Sequence, residues 1–248
     1  MKKVMLVTGA GRGIGASVAL MAGLRGYRVI VNYVRDQSSA NKVVDSIHAG
    51  GGEAIAIQAD VGDLHAVESM FEAIDQKWRR LDVLINNAGM LANFRVEDVT
   101  DENISQIFRT NVFSTYFCSR EAVRRMSTKH GGSGGVIINL SSVAARLGGL
   151  GGGSGYAATK AAISTFTLAL AKEVGHEGIR VNAVSPGLIE TEIHNVHGGI
   201  SQMQELAKTV VPMGRHGSAD EVAEAILWLA SDSSSYVDGT VLDVSGGR

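Results

Sequence analysis

The sequence has one cysteine, Cys118, and two prolines among 248 residues. A lone cysteine excludes an internal disulfide, which fits a reducing compartment, and a cytoplasmic location is the expectation. No apolar run approaches the roughly 18 residues that a membrane span needs. Met1-Lys2-Lys3-Val4 runs directly into a strand-like segment, without the longer apolar stretch and small-residue cleavage site of a signal peptide. Net charge of one sign is also missing. With 23 Lys and Arg against 25 Asp and Glu the balance is -2, which gives no broad pull toward nucleic acid or an anionic membrane. The histidines have no metal-ligand spacing: His194 and His197 are close together, but no third ligand accompanies them.

What is abundant is apolar residues, at 45%, and glycine, at 31 residues. The first allows a sizeable core and argues against disorder. Much of the glycine lies in a loop after the first apolar run and in Gly148 to Gly155, where it suggests tight turns and close backbone approach to a ligand.

Strand-like and helical patterns alternate along the whole chain. Strands are predicted at Lys3–Thr8, Tyr27–Tyr33, Glu53–Ala59, Val83–Asn86, Val136–Ser141, Arg180–Val184 and Thr240–Val244. Helices are predicted at Ile14–Arg25, Ser38–Ala49, Leu64–Trp78, Asp101–Lys129 (with Thr100 as its cap), Tyr156–Val174 and Glu221–Ser231. Such alternation implies one α/β domain over residues 1–248: a parallel sheet of about seven strands, doubly wound, with helices on both faces. Glu190 to Gly217 has no place in that sheet. It is polar, and a substrate lid at about 190–217 is the expectation. Ligands of such sheets bind beyond the carboxyl ends of the strands.

The first strand ends in Thr8-Gly9-Ala10-Gly11-Arg12-Gly13-Ile14-Gly15. Glycines between strand and helix let backbone N–H groups approach a pyrophosphate, which the helix N-terminus favours electrostatically. An ordinary tight turn is the plainer reading. The second strand ends in Asn32-Tyr33-Val34-Arg35, without the acidic residue that would take the adenosine ribose of NAD. Arg35 and Arg12 could both reach a 2′-phosphate, so NADP is expected over NAD. Asp36, beside Arg35, would mimic the NAD pattern if the strand ended later.

Tyr156 and Lys160 are four residues apart on a predicted helix and share a face. A tyrosine at its ordinary pKa of about 10 is a poor general base at neutral pH, and a nearby ammonium and an oxidised nicotinamide would favour the phenolate. With the glycine loop, Asp60-Val61, Asn86-Asn87-Ala88-Gly89, Asn111, Ser142, Tyr156-Ala157-Ala158-Thr159-Lys160, and Pro186-Gly187 followed by Thr191, the chain resembles the classical short-chain dehydrogenase/reductase family over essentially its whole length. It looks most similar to bacterial glucose-1-dehydrogenase-like and 3-oxoacyl-carrier-protein-reductase-like members.

The resemblance implies a Rossmann fold and an NADPH-dependent oxidoreductase that moves a hydride between nicotinamide and a carbonyl or secondary alcohol carbon. Tyr156 would be the acid for reduction and the base for oxidation. Ser142 would hold the reacting oxygen, and either Ser141 or Ser142 could instead cap a strand end. Lys160 would lower the tyrosine pKa and bind the nicotinamide ribose. Asn111 would open a kink in its helix and hold a relay water. Asp60 and Val61 would contact the adenine, though Asp60 could equally cap a helix. Asn87, Ala88 and Gly89 would line the adenosine side. Pro186, Gly187, Ile189 and Thr191 would grip the carboxamide.

Three other functions compete. A sugar or polyol dehydrogenase shares the chemistry; a non-catalytic NADPH sensor would be expected to lose Tyr156, Lys160 or Ser142; a sugar-nucleotide epimerase usually needs a longer chain and other glycine spacing. Substrate is expected to be decided in 90–95, 146–155 and 190–213, where Met90, Leu91, Leu147, Leu150 and Ile193 suggest an apolar pocket. Phe113, Tyr116, Phe117, Ile163, Phe166 and Leu170 exceed the need of one sheet contact. Burial of the surplus against a second subunit is expected, and the resemblance implies a homotetramer built from these helices and the C-terminal segment from Val237 to Arg248. Arg124, Arg125 and Lys129 form a basic cluster that reads as a solvated helix end or a dock for an acidic carrier protein.

Overall fold

The first strand, β1 (Val4–Val7), turns Val4 and Leu6 to one face and Met5 and Val7 to the other, and all four are fully buried. Apolar residues on both faces are the mark of a strand covered on both sides. The structure is a computed structural model that describes residues 2–149, 152–191 and 199–248, the side chains of 199–203 excepted. After β1 come β2 (Arg28–Tyr33), β3 (Glu53–Gln58), β4 (Val83–Asn86), β5 (Gly135–Leu140), β6 (Ile179–Pro186) and β7 (Val241–Val244). Every pairing is parallel, in the order β3-β2-β1-β4-β5-β6-β7. In register, Leu6 lies between Ile30 and Leu84. This is the seven-stranded, doubly wound Rossmann arrangement expected. The strand order reverses at β1 and β4, where the crevice beyond their carboxyl ends opens.

The helices are α1 (Gly13–Leu24), α2 (Gln37–Ala49), α3 (Leu64–Trp78), α4 (Asp101–Phe108), α5 (Ser114–Met126), α6 (Ala144–Leu147), α7 (Ser154–Val174), α8 (Gly199–Val210) and α9 (Ala219–Ala230). One core packs α1, α2 and α9 on Met5, Val7, Val29 and Val31. The other packs α3, α5 and α7 on Val4, Leu6, Ile30 and Leu84. Side-chain caps start the helices where the backbone N–H groups need partners: Asp36 for α2, Asp63 for α3, and capping boxes at Thr100 for α4 and Ser218 for α9. The cap of α3 is thus Asp63 and not Asp60.

Three expectations change. The long helix over 101–129 is broken by a π turn at Arg109–Phe113, ends at Met126, and gives way to a 3-10 turn at Thr128–His130. The polar stretch 190–217 contains α8, whose Ala207 packs on Leu188 together with Val211 just beyond the helix. Its two ends meet, because Ile189 bridges Gly217 and Glu190 N donates to Gly217 O at 2.9 Å. Of the apolar residues read as surplus, Ile163 and Leu170 belong to the core at 1% and 7% exposure, whereas Phe113 and Tyr116 are 43% and 49% exposed. Leu150, Ile193, His194 and His197 lie outside the described residues. Among the described residues no helix is long and apolar enough to cross a membrane, and no cluster of three metal-binding side chains occurs.

Candidate active site

The loop between β1 and α1 is shaped by close backbone packing. Gly9 adopts a left-handed φ of 61°, which a side chain disfavours. A Cβ on Gly15 would collide with Asn87 Nδ2 and sit 2.7 Å from Gly9 O. Asn87 closes the loop against β4: its Nδ2 donates to Thr8 O (2.8 Å) and Gly9 O (3.1 Å). Thr8 Oγ1 answers by accepting from Asn87 N (3.0 Å) and Ala88 N (2.9 Å). Thr8 carries no chemistry of its own in the sequence, and only this lock reveals its part. Asn32 is fully buried; its Oδ1 accepts from Gly9 N at 3.1 Å and its Nδ2 donates to Ala59 O at 3.0 Å. It therefore shapes the loop from behind. Tyr33 and Val61 are likewise buried, at 8% and 2%.

This cradle fits a dinucleotide pyrophosphate. Helix α1 starts with no side-chain cap and no acidic residue in its first turn, so its leading N–H groups suit an anion. Arg12 stands at the N-cap position, and its charge reaches Asp36, whose pKa is lowered mainly by hydrogen bonds from Ser39. Asp36 spends Oδ1 on Ser39 N (3.0 Å) and Oδ2 on Ser39 Oγ (2.6 Å). That capping role accounts for its position after β2. Arg35, next to it, is exposed. Asp60 is exposed at the end of β3, where its Oδ1 accepts from Gly62 N at 2.9 Å.

The adjacent serines after β5 separate cleanly. Ser141 is 3% exposed and points into α7, donating to Lys160 O (3.0 Å) and pairing with Ser164 Oγ (2.8 Å). Ser142 lines the cleft together with Tyr156 and accepts from Ala144 N at 3.1 Å. Lys160, one turn on from Tyr156, is 5% exposed; its Nζ donates to Leu140 O at 2.6 Å and lies 5.7 Å from the Tyr156 ring centroid. Burial lowers its pKa from 10.5 to about 8. The Tyr156 pKa, expected to fall, is instead raised: burial outweighs the pull of the neighbouring Ser142 hydroxyl, which lowers it. The protein alone keeps the phenol protonated.

Asn111 is 1% exposed inside the π turn. Its Oδ1 accepts from Met90 N (2.8 Å), and its Nδ2 donates to Met90 O (3.0 Å) and Thr159 Oγ1 (3.0 Å). It thereby ties the Gly89-Met90 turn to α7. A Cβ on Gly89 would lie 3.4 Å from Asn111 Oδ1 and 3.6 Å from Lys160 Nζ, so both groups flank that glycine. A cleft of about 150 Å³ runs from Ile14, Asn87 and Gly89 past Ser142, Tyr156 and Lys160 to Pro186, Gly187, Ile189 and Thr191. Its substrate end has apolar walls, including Leu91, Val143, Leu147 and Leu188. Four elements far apart in sequence thus deliver the glycine cradle, the Ser-Tyr-Lys group and the Pro186–Thr191 loop to one crevice.

A family described as Enoyl-(Acyl carrier protein) reductase matches residues 9–248. The chain belongs to the classical short-chain dehydrogenase/reductase family. It is 48% identical over 246 residues to the uncharacterized oxidoreductase YgfF of Escherichia coli, covering 99% of each chain. It is 38% identical over 255 residues to versicolorin reductase 1 of Dothistroma septosporum, covering 99% of this chain and 95% of the relative. A short-chain dehydrogenase from Burkholderia cenocepacia, solved in complex with NADP, superposes with a TM-score of 0.89 at 33% identity, over 99% of this chain and 97% of that one. The protein is an NAD(P)-dependent oxidoreductase of this family.

Proposed function

We propose that this short-chain dehydrogenase/reductase is an NADPH-dependent reductase of ketones with an apolar, ring-bearing body. The observation that carries the reading is the convergence of Ser142, Tyr156 and buried Lys160 on the wall of one cleft whose other walls are apolar. The cofactor, when bound, supplies the hydride for the carbonyl carbon. Ser142 and Tyr156 converge on the carbonyl oxygen; Ser142 orients it, and Tyr156, kept protonated by its burial, donates the proton. Lys160, with a pKa of about 8, exchanges a proton readily near neutral pH and binds the nicotinamide ribose. Asn111 positions the Gly89-Met90 turn against it.

The remaining assignments belong to the same proposal. Gly9, Gly11, Gly13, Ile14 and Gly15 hold the pyrophosphate; Asp60, Val61, Asn87, Ala88 and Gly89 line the adenosine; Pro186, Gly187, Ile189 and Thr191 take the carboxamide. Arg12 and Arg35 favour the 2′-phosphate of NADP, a reading supported by the commitment of Asp36 to its helix cap. The 190–217 excursion, pinned where Ile189 meets Gly217, serves as the lid. Exposed Phe113 and Tyr116, together with the edge strand β7, support assembly into a homotetramer, and the cytoplasm is the proposed location. Docking of a carrier protein on the basic cluster finds little support, because Arg125 is spent on Asp75 (2.7 Å) and Glu121 (2.8 Å), and Arg124 on Glu121 (2.9 Å). A further relative, 37% identical over 254 residues, is named a probable tetrahydroxynaphthalene reductase, and the fused rings in that name agree with the apolar walls.

The test is NADPH oxidation with bicyclic ketones such as α-tetralone against glucose and small polyols with NADP⁺. Turnover of the ketones supports the reading. Turnover confined to the sugars would replace it with the polyol dehydrogenase.

A further inference from the structure

The lining of the cleft includes a cation that the reductase chemistry does not use. Arg248 lines the same cleft as Ser142, Tyr156 and Leu147. Its backbone is pinned: Arg248 N donates to Ser245 O (3.4 Å), and Arg248 O accepts from Ser245 Oγ (3.0 Å) and from the Arg146 guanidinium (3.1 Å). Next to it, Met213 N donates to Gly246 O at 3.1 Å, so the segment after β7 is held against the end of α8. The side chain is therefore delivered to the cleft by a fixed main chain.

Its charge has no acidic partner among the described residues. The nearby carboxylates are already engaged, Asp243 by Arg146 at 3.1 Å and Glu221 by Arg215 at 2.7 Å. Partial burial lowers the Arg248 pKa, and no acidic group opposes the shift. A guanidinium does not shed its proton in a protein, and its planar fork matches an anionic oxygen pair. A half-desolvated guanidinium without a counter-charge is costly in the free protein, and that cost is offset when an anion arrives.

We propose that Arg248 is a specificity residue that binds an anionic oxygen of the substrate, a carboxylate or an acidic phenolate, in the cleft that Ser142 and Tyr156 also line. The substrate is then a ketone with an apolar ring body and an acidic group besides the reacting carbonyl. This rests on the ketone reductase reading above and narrows its substrate class. Arg146 acts through Arg248, as a positioning residue that holds its carbonyl.

The experiment measures binding without turnover, on the NADPH-loaded protein, by calorimetry. The probes are 2-naphthoate for the carboxylate, a nitro-substituted naphthol ionised at the working pH for the phenolate, and neutral 2-naphthamide as reference. The expected result is that Arg248→Met lowers the affinity ratio of an anion to the amide by tenfold or more, that Arg248→Lys recovers part of it, and that Arg215→Met leaves it unchanged. Whichever anion responds identifies the source of the charge. Ratios equal in wild type and Arg248→Met for both anions would overturn the proposal. Arg248-dependent binding with no reduction of any ketone would instead count against the reductase reading and leave the anion site standing.

Discussion

The Lys160 ammonium donates to the carbonyl oxygen of Leu140 at 2.6 Å while lying 5.7 Å from the ring of Tyr156. The lysine is thus fixed by the end of β5, the strand that also presents Ser142, so the acid, the orienting hydroxyl and the cation are positioned by one strand end and one helix. Burial, without a carboxylate partner, sets the lysine pKa at about 8.

That burial has a sign for stability. Between pH 8 and about 10.5 the unfolded lysine holds its proton and the folded one releases it. The unfolded state binds more protons there, so this group makes the protein more stable as pH rises through that window. Below pH 8 both states are charged and the burial penalty is present in full. Lys160→Met is expected to gain Tm relative to wild type at pH 7, with the gap narrowing between pH 8 and 10.5. Thermal melts of both proteins across pH 7 to 11 check this; a constant gap would refute it.

Gly15→Ala is expected to damage the cofactor cradle itself. The added methyl meets Asn87 Nδ2 and Gly9 O, and overpacking of this kind costs about 1–3 kcal/mol. Lower Tm together with at least tenfold weaker NADPH binding is expected by melting and fluorescence titration.

The proposed preference for NADP turns on the end of β2. Arg35→Ala is expected to weaken NADPH about tenfold, ~1.4 kcal/mol, and to leave NADH nearly unchanged. The NADPH affinity of wild type should also fall with added salt more steeply than that of the variant. Parallel titrations with the two cofactors settle the point, and an equal loss for both would mean that Arg35 does not read the 2′-phosphate.

Assembly is expected to depend on the exposed aromatic face. Tyr116, stacked on Phe166 at a centroid distance of 4.0 Å, is half exposed in the single chain. Tyr116→Glu places a charge in the proposed interface, and light scattering after gel filtration should find a smaller species than the tetramer proposed for wild type.

The sheet was legible in the sequence because each buried strand is a short apolar run bounded by turn residues, and α3 was read to the residue at Leu64–Trp78. The break at Arg109–Phe113 was not read as a π turn, because nothing in local spacing distinguishes it from α-helix; it is held by Asn111 bonding Met90 and Thr159 from other elements. Helix α8 was missed because a polar segment with one apolar stripe covers only a small satellite cluster at Leu188. The tight turns implied by the glycine-rich stretch are present where Gly148 and Gly149 take left-handed φ values of 83° and 78° after α6. Arg248 was invisible for a different reason. No motif surrounds it, and its main chain is held by a tertiary hydrogen bond from Arg146 beside a local one from Ser245.

The most direct test of the account is Tyr156→Phe. The change removes one hydroxyl, keeps the ring beside Lys160, and deletes the proposed proton donor. NADPH affinity is expected to stay within about twofold of wild type, while kcat for ketone reduction falls by roughly 10²–10⁴. Wild-type-like kcat in the variant would contradict the assignment of Tyr156 as the acid.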